Sequence, residues 1–180
     1  MKDLDHNLLE GYTRFDPQVN TPSEIPSESG NYIVVLRNGC TLPCAGSDVV
    51  MKEFNGQKVI YTGVSAELKK RIGHDHLKGH SSFSTFRISL GCLLGYKLIH
   101  RNRIPDWKHY RFSSEEESAL SEWIKNNLVF YYKTSPDYER LEGLLIDHLN
   151  PPVNLDKNES PINAEFRAML RELRNRKPSL

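Results

Sequence analysis

The sequence predicts an α+β fold, in which a small, largely antiparallel sheet of three to four strands is flanked by helices. The β-branched run from Tyr32 to Leu36 lies between Gly30 and Asn38-Gly39, and this pattern is typical of a strand. Asn55-Gly56 separates two further apolar runs, which is the strongest short-range signal for a β-hairpin. The second half of the chain carries apolar residues at helical spacing.

The remaining elements follow from turn and capping signals. Ser65 and Gly73 start and stop a first helix, Ser114 with Glu117 forms a capping box, Ser135-Pro136 provides an N-cap and an N1 proline, and Asn150-Pro151-Pro152 ends the helix that follows. The predicted elements are strands at 49–54 and 58–61, a helix at 65–72, a loop at 74–82, a helix at 85–94, a helix from about 114, a strand at 129–132, and helices at 135–149 and 162–174.

Length and composition are those of one soluble domain. The chain has 180 residues, 38% of them hydrophobic, and a net charge of +1. We expect residues 1–29 to form a proline-rich arm, 30–155 the main domain, and 156–180 a terminal helix packed on it. No apolar run reaches the roughly 18 residues of a membrane helix, and no secretory signal opens the chain, so we expect a cytoplasmic protein without a membrane partner.

Positive charge is concentrated in the middle of the chain. Between Val64 and Phe112 we count ten Lys or Arg against three acids, and five of the seven histidines fall there too. Such clustering is the footprint of phosphate binding, although an ordinary solvated surface offset by acidic neighbours has the same composition. The candidate nucleic-acid contacts are Lys70, Lys78, Arg87, Arg101 and Arg103.

An ordered set of five residues suggests the chemistry. Two strand ends, Gly30-Asn31-Tyr32 and Tyr61-Thr62-Gly63, are followed by Arg71, Glu142 and Asn154. Tyr61 to Arg71 is ten residues, and Glu142 to Asn154 is twelve. This set resembles the GIY-YIG nuclease family, with longer insertions between the motifs. The resemblance implies a nuclease active site built from these five residues.

Glu142 is the strongest single candidate. A helix would place Tyr138, Leu145, Ile146 and Leu149 around it, and a carboxylate in such an apolar stripe is costly unless a cation satisfies it. The cation could be Mg²⁺ or Mn²⁺, which take one or two carboxylates with water and phosphate. A buried salt bridge, for example to Arg71, is the alternative.

The resemblance assigns roles to the other members of the set. It implies that Arg71 grips the scissile phosphate, that Tyr61 helps to deprotonate the attacking water, and that Tyr32 completes the site. A phenol has an ordinary pKa near 10, so Tyr61 would need a nearby cation. A strand tyrosine is otherwise a packing residue, and a turn asparagine such as Asn154 is usually structural, so we expect Asn154 to support the site.

The histidines are where the resemblance loosens. Relatives carry a tyrosine or histidine four residues after the arginine, where this chain has Asp75 between His74 and His76. A slip of one residue at Gly73 would bring a histidine into the site, and we favour His76. His74, His76 and His80 could instead bind a transition metal.

The resemblance, together with these residues, therefore implies a divalent-metal-dependent endonuclease that hydrolyses the phosphodiester bonds of DNA, with Tyr32, Tyr61, Arg71, His76, Glu142 and Asn154 in its site and Glu142 as the metal ligand. A short nuclease that cuts both strands would act as a homodimer or act twice. The alternatives are an RNA-directed or structure-specific nuclease, and a non-catalytic nucleic-acid-binding module on the same fold. Val64, where many relatives carry a lysine, and Asp75 favour the last of these.

Overall fold

The computed structural model describes residues 8–46, 48–100 and 110–176, with the side chain of His100 excluded. Its strands are β1 (Thr13–Phe15), β2 (Gly30–Leu36), β3 (Glu53–Phe54), β4 (Gln57–Ser65), β5 (Ile99–His100), β6 (Tyr110–Arg111) and β7 (Leu128–Thr134). Five of these strands form one antiparallel sheet in the order β1-β7-β2-β4-β3, and β5 and β6 pair separately. The predicted α+β class and antiparallel sheet are confirmed. The sheet is larger than the expected three to four strands because β1 joins its edge.

The helices are a π-helix (Lys69–His76), α1 (Thr85–Leu93), α2 (Ser114–Asn127), α3 (Tyr138–Leu149) and α4 (Ala164–Asn175), with 3₁₀ turns at Pro22–Glu24 and Ser81–Phe83. The capping box of α2 is formed by Ser113 and Glu116, one residue before the predicted pair. Helix α3 begins at Tyr138, later than expected, because the Ser135 hydroxyl caps a turn by accepting from the Asp137 N–H. In the described ranges no helix has the length and apolar content that a membrane span requires.

The prediction for residues 65–82 was wrong in its boundaries. The helix is π-helical, starts at Lys69 and continues through Gly73 to His76, and the Leu77 N–H reaches the Ile72 carbonyl five residues back at 3.3 Å. Gly73 does not stop it. A Cβ at Gly73 would lie 2.8 Å from Cβ of Pro22, so the glycine permits close packing on the 3₁₀ turn.

The hairpin at Asn55-Gly56 is confirmed, with a shorter first strand. Both residues have positive φ, 50° and 73°, and they join β3 to β4. Residues 49–52 precede β3 without strand pairing, so only Glu53 and Phe54 of the predicted run are in the sheet.

The sheet buries apolar side chains on both faces. One face carries Ile33 and Val35 and packs against Leu145 and Leu149 of α3. The larger cluster on the other face includes Val34 and residues of the π-helix, α1, α2 and α4. The adjacent central strands β2 and β4 are thus fixed from both sides, and the motif tyrosines lie on these two strands.

Candidate active site

Regular strand pairing sets where the second motif tyrosine points. Tyr32 of β2 pairs with Gly63 of β4 and Val34 pairs with Tyr61, and a β-bulge at Ile60 follows only beyond this pair, where Val35 pairs with Val59. Because side chains alternate along a strand, Tyr61 lies on the same side of the sheet as Tyr32, and the two ring centroids are 6.2 Å apart. The two halves of the motif therefore meet in space.

Gly63 provides the room for Tyr32. The two residues are cross-strand partners, and a Cβ added at Gly63 would lie 2.3 Å from the Tyr32 hydroxyl. Any larger residue at Gly63 would displace the phenol. The glycine that closes the second motif is therefore required by the tyrosine of the first.

His76 is the histidine that reaches the tyrosines. Its Nε2 lies 2.7 Å from the Tyr32 hydroxyl, and its Nδ1 lies 2.9 Å from the Ser84 hydroxyl. Burial, followed by the positive charges of Arg71 and Arg87, lowers the pKa of His76 well below its ordinary value. The ring is therefore neutral at pH 7, with one nitrogen that donates and one that accepts.

The π-helix explains why His76 occupies this place. His76 follows Arg71 by five residues, which is the hydrogen-bond step of a π-helix, so the two side chains leave the helix on similar sides. The side chain of His74, by contrast, is 68% exposed. Within the described ranges no three His, Cys, Asp or Glu side chains are grouped to hold a metal, so the expected alternative of a site from His74, His76 and His80 is not supported.

Arg71 lies at the edge of the site. Its Nη1 donates to the Phe83 carbonyl at 3.2 Å and lies 3.4 Å from the buried Asp75 carboxylate, which Lys70 also contacts. The Arg71 side chain is 35% exposed, and its contacts with described residues use Nη1 alone. The other guanidinium donors remain available to an oxyanion.

Glu142 has a lysine as its partner. Its side chain is 18% exposed, and one carboxylate oxygen accepts from the ammonium of Lys157. Lys157 has a left-handed backbone, with φ of 60°. The salt bridge considered as an alternative for Glu142 is present, but its partner is Lys157 and not Arg71. A single carboxylate with an exposed, displaceable cation is a donor set that suits Mg²⁺ or Mn²⁺ completed by water and phosphate.

The pKa values of the phenols report this proximity. Burial raises the pKa of Tyr61, and the negative charge of Glu142 raises it further, while Arg71 opposes both. Burial also raises the pKa of Tyr32 well above its ordinary value, with smaller contributions from Tyr61 and Glu142. The two phenols, Glu142 and Arg71 thus lie close enough to influence one another electrostatically.

Asn154 lies beneath the site and does not face it. Its Oδ1 accepts from the Thr62 N–H at 2.9 Å, and its Nδ2 donates to the Thr62 carbonyl at 2.8 Å. The buried amide therefore mimics a neighbouring strand and holds the backbone between Tyr61 and Gly63. This geometry matches the supporting role expected for it.

Arg87 corrects the predicted set of nucleic-acid contacts. It is fully buried, its Nη2 bonds the Glu117 carboxylate at 2.7 Å, and its Nη1 donates to the carbonyl of His76 at 2.8 Å. An arginine in this position cannot contact phosphate. Lys70 and Lys78 are exposed, whereas Arg101 and Arg103 lie outside the described residues.

Sequence reasoning missed Ser84, Glu117 and Lys157. Ser84 is the N-cap of α1, and its hydroxyl holds His76 while accepting from the Arg87 N–H. Glu117 was expected in a capping box, and Lys157 was unremarked in a polar loop. Glu117 and Lys157 pair with residues 30 and 15 positions away, so no local pattern marks these pairs, whereas Ser84 gave a signal as a helix N-cap.

One comparison with known proteins identifies a family. A family model described as "GIY-YIG catalytic domain" matches residues 30–176, which is most of the chain. No curated protein and no solved structure matches the chain.

Proposed function

The chain belongs to the GIY-YIG family, whose catalytic-domain model matches residues 30–176, and we propose that it is a divalent-metal-dependent DNA endonuclease. A nuclease-type function follows from the family. The observation that carries the finer proposal is the convergence of four groups from separate parts of the chain: the Tyr32 and Tyr61 phenols, the Arg71 guanidinium and the Glu142 carboxylate.

Arg71 supplies the positive charge for the scissile phosphate. Its guanidinium is partly exposed and keeps unused donors, and a planar fork of donors matches two phosphate oxygens. The carbonyl of Phe83 and the carboxylate of Asp75 hold one edge of the fork, so the free edge is preorganised.

Glu142 is the ligand for the ion, Mg²⁺ or Mn²⁺. When bound, a divalent cation would stabilise negative charge on the leaving oxygen of the phosphodiester. Among the described residues, Glu142 is the one carboxylate whose charge acts on both phenols, which favours a single ion over a two-ion scheme.

Tyr61 assists the attacking water. In the free protein its pKa is raised by burial and by Glu142, so very little phenolate is present at neutral pH to act as a base. A cation that neutralised the charge of Glu142 would remove the contribution of Glu142 to the raised pKa of Tyr61, while Arg71 continues to lower that pKa. Tyr32 is oriented by His76. The neutral Nε2 of His76 can accept a hydrogen bond from the Tyr32 hydroxyl when Nδ1 donates one to Ser84.

The test is cleavage of plasmid and oligonucleotide DNA with Mg²⁺, with Mn²⁺ and with EDTA. We expect metal-dependent cutting that Glu142→Ala reduces by about 10²–10³ or more, with DNA binding retained. Glu139→Ala is the matched control, because Glu139 lies on the same helix but is exposed, and we expect it to cut normally.

Other results would exclude the proposal in part or in full. Normal cutting by Glu142→Ala would remove the mechanism. Cutting of RNA but not DNA would change the substrate. Binding of DNA without any cutting would indicate a non-catalytic module.

A further inference from the structure

A groove beside the candidate active site is built from residues that neither the family set nor the sequence prediction includes. It encloses about 750 Å³ between the start of α1 and the end of α4, and Leu155 and Tyr110 contribute further walls. We call it the arginine groove, because Arg171, Arg174 and Arg176 line it.

The groove carries a positive charge. Its lining holds these three arginines and one acid, Asp156. Nη2 of Arg171 is fixed by the Leu155 carbonyl at 2.7 Å. Arg174 and Arg176 form no ion pair with any described carboxylate, and Arg176 is exposed. Guanidinium groups in such a position bind phosphate bidentately.

Apolar and aromatic side chains line the groove beside the arginines. Ile88, Leu98 and Leu155 offer apolar surface, and Tyr110 offers an aromatic ring. A channel that combines arginines with an aromatic and aliphatic wall fits a polynucleotide strand, whose phosphates are charged and whose sugars and bases are not. A small anion would use the arginines alone.

The groove adjoins the tyrosines. Thr85 lines the groove, and a hydrogen bond from its side chain to Tyr61 lowers the pKa of that phenol. Ser82 lines it one residue before Phe83, whose carbonyl holds Arg71. Leu155 lines it one residue after Asn154, which clamps β4. Two separate segments, residues 82–85 and 154–155, thus connect the groove to the site.

We propose that the arginine groove binds the substrate strand where it continues from the scissile phosphate, with Arg174 and Arg176 on the flanking phosphates. This inference rests on the proposed nuclease function and adds a binding subsite on α4. Arg171 holds the Leu155 segment in place, so it is a positioning residue rather than a direct contact.

The experiment compares Arg174→Gln/Arg176→Gln with a matched control, Lys58→Gln/Arg140→Gln, whose side chains are exposed elsewhere. Binding of a fluorescein-labelled DNA oligonucleotide is measured by anisotropy in EDTA at several salt concentrations. We expect the groove variant to bind about tenfold or more weakly, with the slope of log K against log salt smaller by about one to two, and the control to match wild type. Thermal melting checks that both variants are folded.

The outcomes separate the two proposals. If wild type cuts DNA in a Glu142-dependent way and the groove variant binds and cuts as wild type does, the groove inference is wrong and the nuclease proposal stands. If the weaker binding appears equally in the control, the effect is general charge and the groove inference is again wrong. If wild type neither binds nor cuts DNA, both fail.

Discussion

Two glutamate–cation pairs in this fold differ in how completely they are satisfied. Glu117 is almost buried and accepts from Arg87 at 2.7 Å, from the Ser81 N–H at 2.9 Å and from the Phe112 N–H at 3.3 Å. Glu142 is more exposed and has one described partner, Lys157, whose own side chain is 62% exposed. The first carboxylate accepts these three hydrogen bonds, most of the roughly four that a carboxylate can accept, whereas the second keeps oxygen lone pairs for an incoming ligand.

The comparison teaches how to distinguish a structural charge from a functional one. The Arg87–Glu117 pair joins α1 to α2 and fixes the carbonyl of His76, so its charges are used by the fold. The Glu142–Lys157 pair joins α3 to a loop and is open to water. A buried, hydrogen-bonded pair is costly to break, and an exposed pair is easily exchanged.

The largest effect should come from breaking the buried pair. Arg87→Met leaves Glu117 without its guanidinium, and we expect the free energy of unfolding to fall by about 3–5 kcal/mol. Urea denaturation followed by tryptophan fluorescence measures this. Arg87→Met/Glu117→Leu should recover much of the loss, and Lys157→Met should change stability by less than about 1 kcal/mol. A similar loss of stability in Arg87→Met and in Lys157→Met would show that the buried and the exposed pair do not differ in their contribution to the fold.

A pH series should show a smaller effect from His76. Its pKa in the folded protein lies below the ordinary value near 6.5, so at pH 5–6.5 the unfolded chain binds more protons. The contribution of His76 to the free energy of unfolding is therefore fully present above pH 6.5. It falls with decreasing pH by up to about 1.4 kcal/mol per pH unit. His76→Asn should flatten this slope, and the exposed His74→Asn should leave it. An unchanged slope in His76→Asn would contradict the assignment of a buried, neutral imidazole.

The smallest effect should come from the exposed pair. Lys157 competes with a divalent ion for Glu142, so Lys157→Gln should bind Mn²⁺ about two- to fivefold more tightly. Titration of Mn²⁺ by electron paramagnetic resonance measures the affinity without cleavage. Lys70→Gln, which removes one of the cations beside Asp75 instead, should bind as wild type does. Equal affinity for Mn²⁺ in wild type and both variants would show that Lys157 does not compete with the ion for the carboxylate of Glu142.

Local signals in the sequence predicted much of the fold. Asn55-Gly56 specifies its turn by backbone preference, and the β-branched run after Gly30 specifies β2. Helix α1 ends near the predicted Gly95, whose φ is 83°. These features depend on residues a few positions apart, so the sequence contains the information directly.

The site was predictable only in part. The motif residues were recognised by order and spacing, but their partners are set by tertiary contacts. Arg71 and Arg87 look alike in a basic stretch of sequence, yet one is partly exposed and the other is fully buried against Glu117, 30 residues away. No local pattern distinguishes them, because the difference arises from the packing of α1 on α2.

The π-helix has a consequence for how such a site can diversify. One residue more or less in that helix would change the phase of every side chain after it, while the sheet stayed as it is. In this chain the wider turn of the π-helix brings His76 to Tyr32 and leaves Asp75 to pair with Lys70. A change of length, without any substitution at the tyrosines, is therefore enough to exchange which side chain touches the phenol.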